Sequence, residues 1–350
     1  TKTEFDNILK FYKTEHDELD SGSTQNNVIR KRNNDCFEVL SRHCNHLSNI
    51  LDLGCGEGHF LEYLYEKEYK KLSGFDLADS FKDKSGKRYM INLGDAENLP
   101  YENNSFDILV LDQFLEHVIS PKKILKEAFR VTKIDGKVLV GVPNASNYNK
   151  YQMFPLFMII LREHIQHFDI SHMNLLAHDI GFDVEEVNET VFPMQAMNMP
   201  MSNLYIVLKK TKEPKNKPVK INKFKLKKNM IEYLNTNNEK LKFMKDQILK
   251  YIKMGKTIFF WGIGREFFLV YSMLSSQKKK YCKFIDANKR KQKSQKIDGK
   301  EIIDGSELKK LKQDNIAVVI TAVYHVPAIE MYLNDINFKG DVVKIFEFNK

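Results

Sequence analysis

The chain has 350 residues, 42% of them apolar and 29% charged, with a formal net charge of +9, a length that accommodates two domains, each with its own core. Residues 1–212 sum to about −6 and residues 213–350 to about +15, so the charge step itself marks a boundary near residue 212. No run approaches the roughly 18 consecutive apolar residues of a membrane span, the polar stretch Thr1–Lys10 reads as neither signal nor transit peptide, and Cys36, Cys44, Cys55 and Cys282 form no Cys-x-x-Cys pair, which argues against disulfides and a thiolate zinc site; a soluble cytoplasmic protein is expected.

Apolar and aromatic points at Phe5, Ile8, Leu9, Phe11 and Tyr12 predict a helix over residues 3–20, and Val28, Cys36, Phe37, Val39 and Leu40 predict a second over 27–43. The chain is then organised around Leu51-Asp52-Leu53-Gly54-Cys55-Gly56-Glu57-Gly58. An apolar run, three glycines at alternate positions and an amphipathic segment from His59 to Lys67 read as strand, turn and helix N-terminus. A side chain in that turn would hold a ligand away from the backbone. Strands follow at Lys71–Ala78, with Asp76 towards its C-terminal end, in the run Met90–Pro100 that carries Asp95, in Phe106–Val118, which runs from strand into loop, and at Lys137–Asn144, with helices among them. This alternation predicts an α/β fold with a parallel, doubly wound sheet and ligands at the C-terminal strand ends.

The Gly-x-Gly-x-Gly spacing after Leu51-Asp52-Leu53, the acid Asp76 about twenty residues on, Asp95-Ala96 and the Asp112-Gln113-Phe114-Leu115-Glu116-His117 loop together resemble class I S-adenosylmethionine (SAM)-dependent methyltransferases, from about Asn27 to Lys212. The resemblance implies a Rossmann-like domain over residues 1–212 with SAM as cofactor. It implies a cofactor site of Asp52, Gly54, Cys55, Gly56, Asp76 on the ribose, Leu77, Asp95 and Ala96 at the adenine, Asp112 and Gln113. Asp112-Gln113-Phe114-Leu115 departs from the Asn/Asp-Pro-Pro-aromatic motif of DNA and RNA amino-methyltransferases. The chain also lacks the Pro-Cys of cytosine C5 enzymes, and both classes are set aside.

Residues 145–180 interrupt the rhythm with Tyr148, Tyr151, Met153, Phe154, Phe157 and Met158 and end in Arg162–Asp169. In this fold an insertion there lies over the cofactor, so it is read as a substrate lid, with an apolar cover or dimer interface as the alternative. Methyl transfer to a hydroxyl needs a base near the fourth strand end or in the lid. The candidates are His167 and His164, on one face if helical, with His117 as competitor. Some RNA 3′-end 2′-O-methyltransferases hold a metal through Glu-x-x-Glu-His plus a later histidine. Gln113 stands at the first of those positions, so no metal is expected.

Beyond a proline- and lysine-rich linker at 211–220 and a helix over 228–254, Thr257–Phe267 repeats the strand, glycine turn and helix, with strands at Tyr281–Ile285, Ile316–Thr321 and Val342–Phe346. Residues 213–350 loosely resemble the half-Rossmann domain that closes sugar C-methyltransferases, through Gly262, Gly264, Phe284–Asn288 and Lys296–Gly299. The cysteine-rich zinc module of those enzymes is absent, and Phe267 replaces a third glycine. A structural or substrate-positioning role is favoured over a second nucleotide. The expected activity is O-methylation of a small polar acceptor, a sugar or nucleotide-linked intermediate of surface-glycan synthesis, in a possible homodimer. RNA or protein methylation, permitted by the basic tail, and a non-catalytic SAM-binding scaffold are the alternatives.

Overall fold

The structure is a computed structural model that describes residues 23–77, 88–150, 156–160, 163–194, 199–212 and 223–344. The helix expected over 3–20, and Tyr151, Met153, Phe154 and Arg162 of the expected lid, lie outside the described residues.

The chain divides into two compact units, Thr1–Gln152 with Leu161–Glu232, and Met153–Ile160 with Tyr233–Lys350. The first unit begins with helix α1 (Ser23–Leu40) and then alternates β1 (Ile50–Leu53), α2 (His59–Glu66), β2 (Leu72–Asp76), β3 (Met90–Leu93), β4 (Phe106–Asp112), α3 (Pro121–Val131), β5 (Thr132–Pro143), α4 (Ile170–Ile180), β6 (Phe182–Met194) and β7 (Met199–Lys210). The strands lie in the order β3-β2-β1-β4-β5-β7-β6, parallel through β5, with β7 and β6 antiparallel at one edge. Every residue of β1 is buried, as expected of a short apolar run covered on both faces. Helix α3 starts with Pro121 in its first turn and buries Ile124, Leu125, Ala128 and Val131, one stripe of a 3.6-residue period. Strand order reverses between β1 and β4, and that reversal opens a crevice at their C-terminal ends, where a ligand is received.

The second unit holds most of helix α5 (Lys223–Lys253), then β8 (Thr257–Trp261), α6 (Arg265–Tyr271), β9 (Cys282–Ile285), α7 (Lys289–Ser294), β10 (Lys296–Ile297), β11 (Lys300–Ile303), β12 (Ile316–Ile320), α8 (Val326–Asp335) and β13 (Asp341–Lys344). Its separate sheet runs β10-β11-β9-β8-β12-β13 over a core of Phe259, Trp261, Ile285, Leu308, Val318 and Ile320. The turn after β8 is closed by the chain itself. Asp286 Oδ2 accepts from the Ile263 N–H at 2.8 Å and from Lys291 Nζ at 3.0 Å. A Cβ on Gly262 would lie 2.3 Å from that of Ala322, so packing requires the glycine.

The division falls inside α5, and part of the segment 145–180 goes with the second unit. There the Leu156 N–H donates to Asn237 Oδ1 at 3.1 Å and the Met158 N–H to the Tyr233 hydroxyl at 3.3 Å.

Candidate functional site

After β1 the backbone turns through Gly54 and Gly56 at φ +81° and +52°, left-handed values that side chains resist. A Cβ on Gly54 would sit 2.4 Å from Phe114 Cδ2, whereas one on Gly56 would meet nothing within 4 Å. The first glycine is a packing requirement. The second leaves open space that a side chain would occupy.

Asp76, at the end of β2, holds this turn. Its Oδ2 accepts from the Gly56 N–H at 2.8 Å and its Oδ1 from the Leu77 N–H at 2.7 Å. The neighbouring strands contribute two more carboxylates. Asp52 on β1 is buried, and burial, with Asp112 and Asp76 nearby, pushes its carboxyl up to about 8. Asp112, ending β4, is raised by burial to about 6, with Arg32 of α1 acting in the opposite direction; the Arg32 Nε lies 3.3 Å from Asp112 Oδ2. A Cβ on Gly141 would come within 2.2 Å of Asp112 Oδ1 and 2.6 Å of Tyr205 Cε1, so this glycine makes room for both. Three acids at adjacent strand ends, only partly balanced by one guanidinium, suit a ligand that carries positive charge.

The other expected cofactor residues surround this floor. Gln113 takes φ +54°; its N–H donates to the Gly141 carbonyl and its Nε2 to Asn203 Oδ1, both at 2.8 Å. Asp95 is exposed and its Oδ1 accepts from the Glu97 N–H at 2.8 Å, while Ala96 packs against the core. Burial pushes the Cys55 thiol far up, so it stays protonated and is no nucleophile.

Beyond β4, one 3₁₀ turn, Leu115–His117, meets the segment 163–166. His117 Nδ1 lies 3.0 Å from the Glu163 carbonyl, the Gln166 N–H donates to the Glu116 carbonyl at 3.0 Å, and the rings of His117 and His164 meet edge to face at 4.8 Å. Glu116 is 1% exposed, and burial raises its carboxyl to about 8. His167 pairs instead with Tyr148, whose hydroxyl lies 3.1 Å from Nδ1, and burial lowers its pKa. His164 and His167 would share a face only in a helix, and that condition is not met. Residues 163–169 are irregular, because α4 begins only after Asp169, whose Oδ1 caps it by accepting from the His172 N–H at 2.8 Å.

Arg32 and Tyr205 went unnoticed in the sequence. Arg32 could have been found, since it lies one turn before the buried Cys36 on the apolar face of α1. Tyr205 gave no signal apart from being one more apolar position of a strand.

Residues 28–187 match the family model described as a methyltransferase domain. This stretch is similar to methyltransferase domains. Residues 254–343 match a second model, described as C2185-like, N-terminal. Among curated relatives, the chain is 28% identical over 133 residues to the uncharacterized protein MJ1123 of Methanocaldococcus jannaschii, covering 38% of this chain and 60% of that one. It is 31% identical over 144 residues to the demethylmenaquinone methyltransferase of Paenarthrobacter aurescens, covering 40% and 53%. The chain thus spans a little over half the length of each. A solved structure similar to it is a SAM-dependent methyltransferase from Methanosarcina mazei, at TM-score 0.42 and 18% identity, covering 50% of this chain and 98% of that one.

The residues of the methyltransferase domain fit SAM as its cofactor. The turn leaves open space at Gly56, the Asp76 carboxylate lies beside it, and the acids Asp52 and Asp112 on the neighbouring strands suit a cofactor that carries positive charge.

Proposed function

We propose that the protein transfers a methyl group from SAM to a hydroxyl of a small polar acceptor, a sugar or a nucleotide-linked sugar. The observation that carries this reading is the convergence of Asp52, Asp76 and Asp112 on the glycine turn within the stretch that matches a methyltransferase domain. The acceptor class is supported by the loose resemblance of the second unit to the closing domain of sugar C-methyltransferases.

When bound, SAM supplies a methyl group already activated by its positively charged sulfur. What remains for the chain is to align donor and acceptor, a contribution of about 7–11 kcal/mol when a near-attack geometry is held, and to take the hydroxyl proton. His167 is suited to that step. Burial keeps its imidazole neutral, and in the tautomer whose Nδ1–H donates to the Tyr148 hydroxyl, Nε2 is left as the proton acceptor.

The test is transfer of labelled methyl from SAM to a panel of nucleotide-sugars, free sugars, RNA and protein. Label on a sugar hydroxyl is the expected result. Label confined to RNA or protein overturns the acceptor class, and the absence of transfer to any acceptor by a chain that binds SAM contradicts the activity.

A further inference from the structure

Glu116, His117 and His164 are the one group of three metal-ligating side chains that converges among the described residues, with one donor atom from each lying within 4.8 Å of the others. Glu116 and His117 are neighbours in the chain, and His164, far along it, is brought to them by hydrogen bonds to main-chain carbonyls. The Gln166 N–H donates to the Glu116 carbonyl, and the His117 ring donates to the Glu163 carbonyl, which fixes segment 163–166 against the turn after β4.

Two features of this cluster suit an ion. A carbonyl oxygen can only accept, so the 3.0 Å contact to Glu163 puts the His117 proton on Nδ1. Nε2 then carries the lone pair, and it faces Glu116 Oε1 at 3.9 Å. A metal-bound histidine characteristically donates its other ring N–H to a carbonyl or carboxylate in this way. The second feature is Glu116, a carboxylate 1% exposed whose two oxygens accept no hydrogen bond. Buried polar atoms are nearly always hydrogen-bonded. A cation between Glu116 and the two imidazoles would supply the partner that these oxygens lack.

We propose that Glu116, His117 and His164 bind a divalent transition-metal ion at the C-terminal end of the sheet, next to the SAM pocket. Two imidazole nitrogens and one carboxylate oxygen select zinc, cobalt or iron over magnesium and calcium, which take oxygen ligands. Metal–ligand bonds of about 2.0–2.2 Å require the three side chains to close in on a common point. Three protein ligands leave further coordination positions for an oxygen donor, and a hydroxyl bound there would lose its proton more readily. That last consequence rests on the methyl-transfer reading, whereas binding of the ion does not.

The test is calorimetric titration of the full chain, stripped with chelator, with Zn²⁺, paralleled by the visible absorption of the Co²⁺ form. One ion per chain is expected. Glu116→Gln, which keeps the side chain's shape, and His164→Ala should each weaken binding by at least about tenfold and change the Co²⁺ spectrum, while His46→Ala leaves both as in the wild type. Circular dichroism establishes that each variant is folded, and if Glu116→Gln is not, His164→Ala alone decides. Failure of the wild type to bind one ion saturably, or wild-type affinity in the folded variants, overturns the site. Because SAM binding is measured separately, a chain that binds SAM and no metal refutes only this site, and one that binds metal and no SAM refutes only the cofactor reading.

Discussion

His167 is the residue whose chemistry depends most directly on its surroundings. Burial holds its pKa below the ordinary 6.5, which disfavours the imidazolium form. As a base it must be neutral, so the rate of methyl transfer should be flat near pH 7 and fall as the pH drops through a value below 6.5. His167→Ala should lower the rate by about 10²–10⁴ and abolish that acid limb. A variant with an unchanged rate and the same limb would remove His167 from the base role. At the same scale, Asp52 and Asp112 differ from surface acids because they share one buried corner. Their raised pKa values are the cost of presenting carboxylates to a cation in a place with little water.

Among the elements, the turn that follows α1 and strand β6 are joined by one carboxylate. Glu186 accepts from Arg42 Nη2 and from His43 Nε2, each at 2.5 Å, and from Asn188 Nδ2 at 2.5 Å. Lys137 Nζ donates to His43 Nδ1 at 2.9 Å, so the histidine proton is on Nε2, facing Glu186. Burial alone would raise the Glu186 pKa, but these donors hold it at about 2. A depressed folded-state pKa stabilises the fold above the unfolded value near 4.5 and loses that contribution as the pH falls from about 4.5 to 2. Denaturant unfolding should therefore show Glu186→Gln less stable than the wild type at pH 7, with the gap narrowing at pH 3. A gap of constant size would mean that the carboxylate is not what joins the two elements.

The elements themselves were largely legible. Buried strands such as β1 and β4 are continuous apolar runs, and Gly54 to Gly58 marks the turn wherever the helices lie. Strands β10 and β11 were missed because Lys296-Ile297 and Lys300-Glu301-Ile302-Ile303 are short and rich in charge, and it is pairing with β9 that makes them strands. The Glu-x-x-Glu-His motif places a later histidine beside Glu116-His117, but that it is His164 could not be read from the sequence. Their meeting depends on backbone hydrogen bonds between loops, which leave no periodicity in the sequence.

At the scale of the whole molecule, the chain uses the strand, glycine turn and helix twice with different results. In the first unit the turn at Gly56 faces open space and three acids converge on it. In the second, Asp286 and Lys291 of the same unit occupy the turn after β8. The same local pattern thus leaves open space in one unit and is closed by the chain's own side chains in the other. Among the described residues no helix is long and apolar enough to cross a membrane. The four cysteines are free, so neither unit depends on a disulfide.

The central claim is that the first unit binds SAM through Asp76 and the glycine turn, and calorimetric titration of the full chain with SAM tests it most directly. The expected result is saturable binding of one SAM per chain, lost or greatly weakened in Asp76→Ala while the variant remains folded. A wild-type chain that binds no SAM, or an Asp76→Ala variant that binds it as tightly as the wild type, would contradict the account.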